Sequence, residues 1–178
     1  CFLKAGDYVV ASRALFGSCL YIITDILPRL GVETKVVDGC NLDEWEAALD
    51  RPTACVFLET PTNPLLEIID LPAVSKLAHA QGATVIVDNV FSTPMLQRPM
   101  ELGADIVVYS ATKHIDGQGR AMGGAILCKQ QFIDDHLNQF MRHTGPSISP
   151  FNAWIFLKGL ETLDIRVRQA CENALQIA

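Results

Sequence analysis

The sequence predicts an α/β protein, a three-layer arrangement in which a mostly parallel sheet is flanked by helices. Short β-branched runs alternate with stretches whose apolar residues recur at helical spacing, so the hydrophobic period switches from about 2 to about 3.6 and back. Runs such as Thr84 to Val87 and Ile106 to Val108 lack polar alternation, as strands covered on both faces require. The 178 residues, 49% of them hydrophobic, suffice for one sizeable core.

In chain order, "DYVVAS" reads as a strand and "SCLYIITDILPRLG" as a helix that stops near Gly31. "ETKVVD" is a second strand, and "NLDEWEAALD" a short helix capped by Asn41 or Asp43. Next come the strand "ACVFLE", a Pro-rich loop "TPTNPLLEIID", and the helix "LPAVSKLAHAQG", with Pro72 in its first turn and Gly82 at its end. "TVIVD", "DIVVYS" and "GAILC" follow as strands. From "QFIDDHLNQF" onward the pattern is helical, with a turn at "HTGPSISP" and a long run from Phe151 to Ala178 interrupted only by Gly159. There is no internal repeat or low-complexity tract; the opening "CFLKAGDYVV" and the uncapped helix running to Ala178 suggest a piece of a longer chain.

Fourteen Lys+Arg against twenty Asp+Glu give a net charge of −6, without the basic excess that phosphate-backbone binding requires, so nucleic acid is not expected as a partner. No apolar run approaches the roughly 20 residues needed to span a bilayer, and no signal-like segment opens the chain. The six cysteines (Cys1, Cys19, Cys40, Cys55, Cys128, Cys171) form no CxxC pair, and the four histidines no HExxH. Reduced core thiols, a cytoplasmic location and no metal are the expectations.

Ligands of open parallel sheets collect beyond the carboxyl ends of the strands. There "TVIVD" ends in Asp88, "ACVFLE" leads to Asn63, and "DIVVYS" leads to Ser110, Thr112 and Lys113. Alone, Asp88 could equally hold Mg²⁺, accept a phosphoryl group or cap a loop, and a lysine after a strand is ordinarily solvated. Together, an acid and an amine with hydroxyls between them match a ligand that has a basic ring nitrogen, a carbonyl and a phosphate. Pyridoxal phosphate has these three handles.

The stretches "LKAGDYVVASRALFGS", "ETPTNP", "VDN", "ELGADIVVYSATKHIDGQGR" and "GGAIL" resemble, in order and along nearly the whole chain, the Cys/Met-metabolism family of PLP enzymes. Within it, "DGQGR" and "GPSISPFNAWIFLKGLETL" are similar to the O-succinylhomoserine sulfhydrylase branch. The resemblance implies the large domain of a fold-type I (aspartate aminotransferase-like) enzyme, with residues 1–150 as the PLP-binding core and 151–178 leading toward a C-terminal small domain. It further implies a homotetramer built from dimers, and γ-replacement of O-succinylhomoserine by sulfide to give homocysteine. Cystathionine γ-synthase and methionine or cystathionine γ-lyase activity are the alternatives within the family.

Carried over by position, Lys113 is the Schiff-base lysine and moves protons on the substrate, while Asp88 pairs with the pyridinium nitrogen. Ser110 and Thr112 hold phosphate oxygens, Asn63 hydrogen-bonds the ring hydroxyl oxygen, and Phe16 stacks on the ring where many relatives have tyrosine. Arg120, in "DGQGR", reads as a surface or interface cation, or as a group that attracts the succinyl carboxylate. His114 points away from Lys113 if their segment is extended. Tyr109 reads as sheet packing, Glu59 and Asp116 are ambiguous, and Cys19 and Cys55 lack an adjacent base and read as structural.

The G-x-G in "DGQGRAMGG" has Met where a dinucleotide loop needs its third glycine, and it follows a late strand, which excludes a nucleotide oxidoreductase. A non-catalytic α/β core acting only as a binding or oligomerisation module is the remaining rival.

Overall fold

The computed structural model describes residues 1–178. Six strands, β1 (Tyr8–Ser12), β2 (Glu33–Val37), β3 (Cys55–Glu59), β4 (Thr84–Asp88), β5 (Ile106–Ser110) and β6 (Gly124–Cys128), form one sheet in the order β2-β1-β3-β4-β5-β6. The first five run parallel to their neighbours. Strand β6 returns antiparallel along β5, with Ser110 opposite Gly124. The sheet is therefore mostly parallel, as the unalternated runs require.

Helix α1 runs from Gly17–Tyr21 through a wider π turn at Ile22–Ile26 to Leu27–Arg29. Helix α2 (Leu42–Ala48) is capped by Asn41, whose side chain accepts from the Asp43 N–H, which decides between the two cap candidates. Helix α3 (Leu71–Ala80) is capped by Asp70 and carries Pro72 in its first turn, where no N–H is needed. The short α4 (Thr93–Leu96) and a 3₁₀ turn at Pro99–Leu102 follow β4. Neither was predicted, because four residues are too few to display a helical period.

Helix α5 is continuous across Gln130–Phe132, Ile133–Leu137 and Asn138–Thr144, and the chain ends in α6 (Pro150–Leu160) and α7 (Leu163–Ile177). The break in the terminal helical run was expected at Gly159, but that residue is helical and the chain turns after Leu160. Gly159 serves close packing instead: a Cβ there would stand 2.0 Å from the Ile115 carbonyl oxygen.

Alternate strand residues enter opposite sides of the sheet. Val10, Val56, Val85, Val87 and Val107 pack with Trp45, Leu71 and Val74 beneath α2 and α3. Val9, Ala11 and Cys55 pack with Leu15, Ile23 and Val32 on the side of α1. Each fully buried valine contributes about 1.5–3 kcal/mol by leaving water, so two-sided burial anchors the strands and holds their ends in register. No helix is long and apolar enough to cross a membrane.

Candidate active site

The carboxyl ends of β1, β3, β4 and β5 lie along one edge of the sheet, because these adjacent strands are parallel. Glu59 pairs in register with Asp88, and Asp88 with Val108. Phe16 follows β1, Asn63 follows β3, Asp88 ends β4, Ser110 ends β5, and Thr112 and Lys113 lie just beyond. Topology thus collects residues spread across the sequence along one edge.

Glu59 organises the left half of this edge. It is 4% exposed; one carboxylate oxygen accepts from the Phe16 N–H at 2.8 Å and the other from the Asn63 N–H at 3.1 Å. Burial pushes its pKa up; the Phe16 N–H opposes that, the Asp88 charge adds to it, and the Asn63 N–H opposes it again. The two loops this carboxylate holds carry an exposed phenyl ring, Phe16, and an exposed amide, Asn63, whose side chain makes no hydrogen bond within the protein.

Asp88 accepts from the Val90 N–H at 3.0 Å through Oδ1, and its other oxygen has no protein partner. Burial pushes its carboxyl up, with the Val90 bond acting in the other sense. Such a carboxylate is poised for a cationic partner. The next residue, Asn89, is fully buried; its Nδ2 donates to Tyr109 Oη at 2.9 Å, to the Gln97 carbonyl at 3.0 Å and to the Thr93 carbonyl at 3.2 Å. Gln97 Nε2 in turn donates to Asn89 Oδ1 and to the Thr60 carbonyl. This network ties the peptide after Asp88 to β5 and to the loop after β3. Sequence reading missed Asn89 and Gln97, since nothing local marks a hydrogen bond to residues 20 or 37 positions away.

Beyond β5 the chain makes compact turns. The Lys113 N–H donates to the Ser110 carbonyl, Asp116 N–H to Ala111, and Gly117 N–H to the Lys113 carbonyl at 2.7 Å. The extended segment on which the His114 expectation depended is therefore not formed. His114 sits in the turn, its pKa lowered by burial and then by the charge of Arg166. Lys113 is exposed, and its ammonium makes no ion pair or hydrogen bond within the protein. The Ser110 hydroxyl is likewise without a protein partner. The Thr112 hydroxyl, in contrast, donates to the Gly123 carbonyl at 3.3 Å and accepts from the Gly123 N–H at 3.1 Å.

Asp116, fully buried, closes the turn with Arg120. Its carboxylate accepts from the Arg120 N–H at 2.6 Å and from Nε at 2.9 Å, and its carbonyl accepts from Nη2 at 3.1 Å. Burial works against the charged form, but these Arg120 contacts overcome it and hold the carboxyl below the usual range. Arg120 is committed to the loop, and no hydrogen bond or ion pair joins it to the other predicted residues. Tyr109 packs in the core as expected. Cys19 is pushed up to about 11 by burial and then by the charges of Asp88 and Glu59, and Cys55 to about 12 chiefly by burial, so neither thiol is an available nucleophile.

The donor set suits pyridoxal phosphate. Asp88 offers an oxygen lacking a partner in a desolvated setting that favours a cationic ring nitrogen, Phe16 offers an apolar ring, and Ser110 offers an uncommitted hydroxyl.

Comparison with known proteins agrees with this chemistry. The family described as Cys/Met metabolism PLP-dependent enzyme matches residues 1–178. The O-succinylhomoserine sulfhydrylase of Mycobacterium tuberculosis is 57% identical over 176 residues, covering 99% of this chain and 43% of the relative. The L-methionine gamma-lyase of Fusobacterium nucleatum subsp. polymorphum is 42% identical over 177 residues, covering 98% of this chain and 45% of the relative. Among solved structures, metB from Corynebacterium glutamicum superposes with a TM-score of 0.94 at 38% identity, covering 98% of this chain and 46% of that one. The chain spans less than half the length of the curated relatives it matches.

Proposed function

The chain belongs to the Cys/Met metabolism PLP-dependent enzyme family, and from that premise we propose that it forms the cofactor-binding core of an enzyme of γ-replacement. In this reading O-succinylhomoserine and sulfide give homocysteine and succinate. The observation that carries it is the placement of a desolvated, half-satisfied Asp88 at the end of β4 and an unpaired Lys113 just beyond the end of the adjacent parallel β5. The 57% identity to a sulfhydrylase supports the choice of reaction.

When bound, pyridoxal phosphate supplies an electron sink for charge developing at the substrate α-carbon. Asp88 would keep a proton on the ring nitrogen, and Glu59 would hold Phe16 and Asn63 against the ring face and the ring hydroxyl oxygen. Ser110 would donate to a phosphate oxygen, and Thr112 would do so by releasing the Gly123 carbonyl. Lys113 would hold the cofactor and then carry protons at Cα and Cβ of the substrate, succinate leaving from Cγ and sulfide adding there. Arg120 fits a positioning part in the loop better than capture of the succinyl carboxylate, given its commitment to Asp116.

Residues 1–150 would form the large-domain core and 151–178 the helical lead toward a small domain. The exposed Phe151, Trp154 and Leu157, spaced along one face of α6, support burial against another domain or subunit, consistent with a homotetramer.

The test is to treat the full-length protein with the cofactor and borohydride and locate the fixed adduct; attachment to Lys113 is expected, and its absence rejects the reading. Product analysis with O-succinylhomoserine then separates replacement, which yields homocysteine, from elimination, which yields 2-oxobutyrate and is favoured by the similarity to the methionine lyase.

A further inference from the structure

Resting on the reading of Lys113 as the cofactor lysine, we propose that Arg166 is the positioning residue that fixes the lysine turn, clamping its backbone to the junction of α6 and α7. Arg166 lies in the first turns of α7. Its Nη1 donates to the His114 carbonyl at 2.9 Å, and its Nη2 donates to the Gly159 carbonyl at 2.8 Å and the Ile115 carbonyl at 3.4 Å. Its Nε donates to Thr162 Oγ1 at 3.0 Å. One guanidinium therefore grips the residues that directly follow Lys113, the end of α6 and the start of α7.

No carboxylate pairs with Arg166, so its charge is directed at neutral acceptors, three carbonyl oxygens and the Thr162 hydroxyl. Only a planar fork can serve several acceptors in fixed directions; a lysine ammonium is a point charge on a flexible stem. The surroundings are cut to admit it. At Gly117, whose φ is +72°, a Cβ would meet Arg166 Nη1 at 2.0 Å, and at Gly159 a Cβ would meet the Ile115 oxygen at 2.0 Å. On the opposite side Ile115 packs against Ala111, Ala121, Ile155 and Phe156. The turn is held from both sides, by apolar packing and by the guanidinium. Its carbonyls therefore cannot rotate without breaking charge-assisted hydrogen bonds, and the turn is fixed by contacts from a residue 51 and 52 positions further along the chain.

The test uses the full-length enzyme with Arg166→Ala and Arg166→Lys, and Arg168→Ala as the control, since Arg168 pairs only with the exposed Asp164. The first readout is hydrogen exchange of the Asp116 and Gly117 amides before cofactor is added; about tenfold or faster exchange is expected in both Arg166 variants and none in the control. The second is turnover, where kcat should fall about tenfold to a hundredfold with KM within about twofold. Unchanged exchange with kcat within about twofold of wild type would overturn the proposal, as would equal effects in Arg168→Ala. If Arg166→Ala does not fold, Arg166→Lys, which keeps the charge and loses the fork, decides by the same readouts. Failure of the wild type to fix cofactor on Lys113 would reject the functional reading instead, and the exchange comparison would still decide whether Arg166 holds the turn.

Discussion

Glu59 and Asp88 are Cα partners at the carboxyl ends of β3 and β4, yet their carboxylates are used in opposite ways. Glu59 is satisfied on both oxygens by loop N–H groups, whereas Asp88 keeps one oxygen without a partner. One acid is spent on holding two loops, and its neighbour keeps an oxygen free.

Glu59→Gln retains one acceptor oxygen but places an NH₂ where the second N–H must be received. The variant should lose about 1–2 kcal/mol of stability and bind pyridoxal phosphate about tenfold more weakly. Denaturant melts of the cofactor-free protein and a cofactor titration measure the two effects.

Asp88→Asn should move stability and function in opposite directions. Removing a desolvated charge raises the stability of cofactor-free protein at neutral pH by about 1 kcal/mol, while cofactor binding falls at least about tenfold. The sign of the pH dependence follows from the raised folded pKa. Stability from protonated Asp88 is fully present below its unfolded pKa and is lost as pH rises through the folded value. The stability gap between variant and wild type is therefore widest near neutrality and closes as pH falls through that folded value; a gap independent of pH would contradict the assignment.

Asn89→Ala leaves the Gln97 side chain, the Thr93 and Gln97 carbonyls and the Tyr109 hydroxyl without their shared partner. The expected cost is about 2–4 kcal/mol in equilibrium unfolding. Tyr109→Phe, which removes one of those contacts and retains the packing, should cost less than about 1.5 kcal/mol.

Gly159→Ala puts a methyl group 2.0 Å from the Ile115 oxygen, so α6 must move away from the lysine turn. A loss of about 1–3 kcal/mol is expected, together with slower fixation of cofactor on Lys113. Ala153→Gly, elsewhere in the same helix, tests helix propensity alone and should cost about 1 kcal/mol without the second effect.

The sheet was legible because two-sided burial writes itself into sequence as continuous β-branched runs, and those runs place Asp88 and Ser110 at strand ends without further information. Local motifs single out Lys113, Asn63 and Phe16, and the structure places them beyond the ends of β5, β3 and β1. What escaped was whatever depends on strand order. Glu59 reaches back to Phe16 only because β1 and β3 are neighbours, and Arg166 reaches the Lys113 turn only because α7 folds back over it. Gly159 was misread as a helix break because a glycine required by close approach has the same sequence signature as one required by a turn.

The antiparallel return of β6 has a further consequence. Residues 111–123 join strands that are hydrogen-bonded to each other, with Ser110 opposite Gly124, so Lys113 lies in the first turn of an antiparallel connection and not in a parallel crossover. Here both legs are pinned in register, and the Lys113 N–H is tied back to the Ser110 carbonyl at the end of the first leg. The stretch from Ser110 to Lys113 therefore sets the reach of the amine from the sheet, and its length matters more to that reach than the length of the loop that follows.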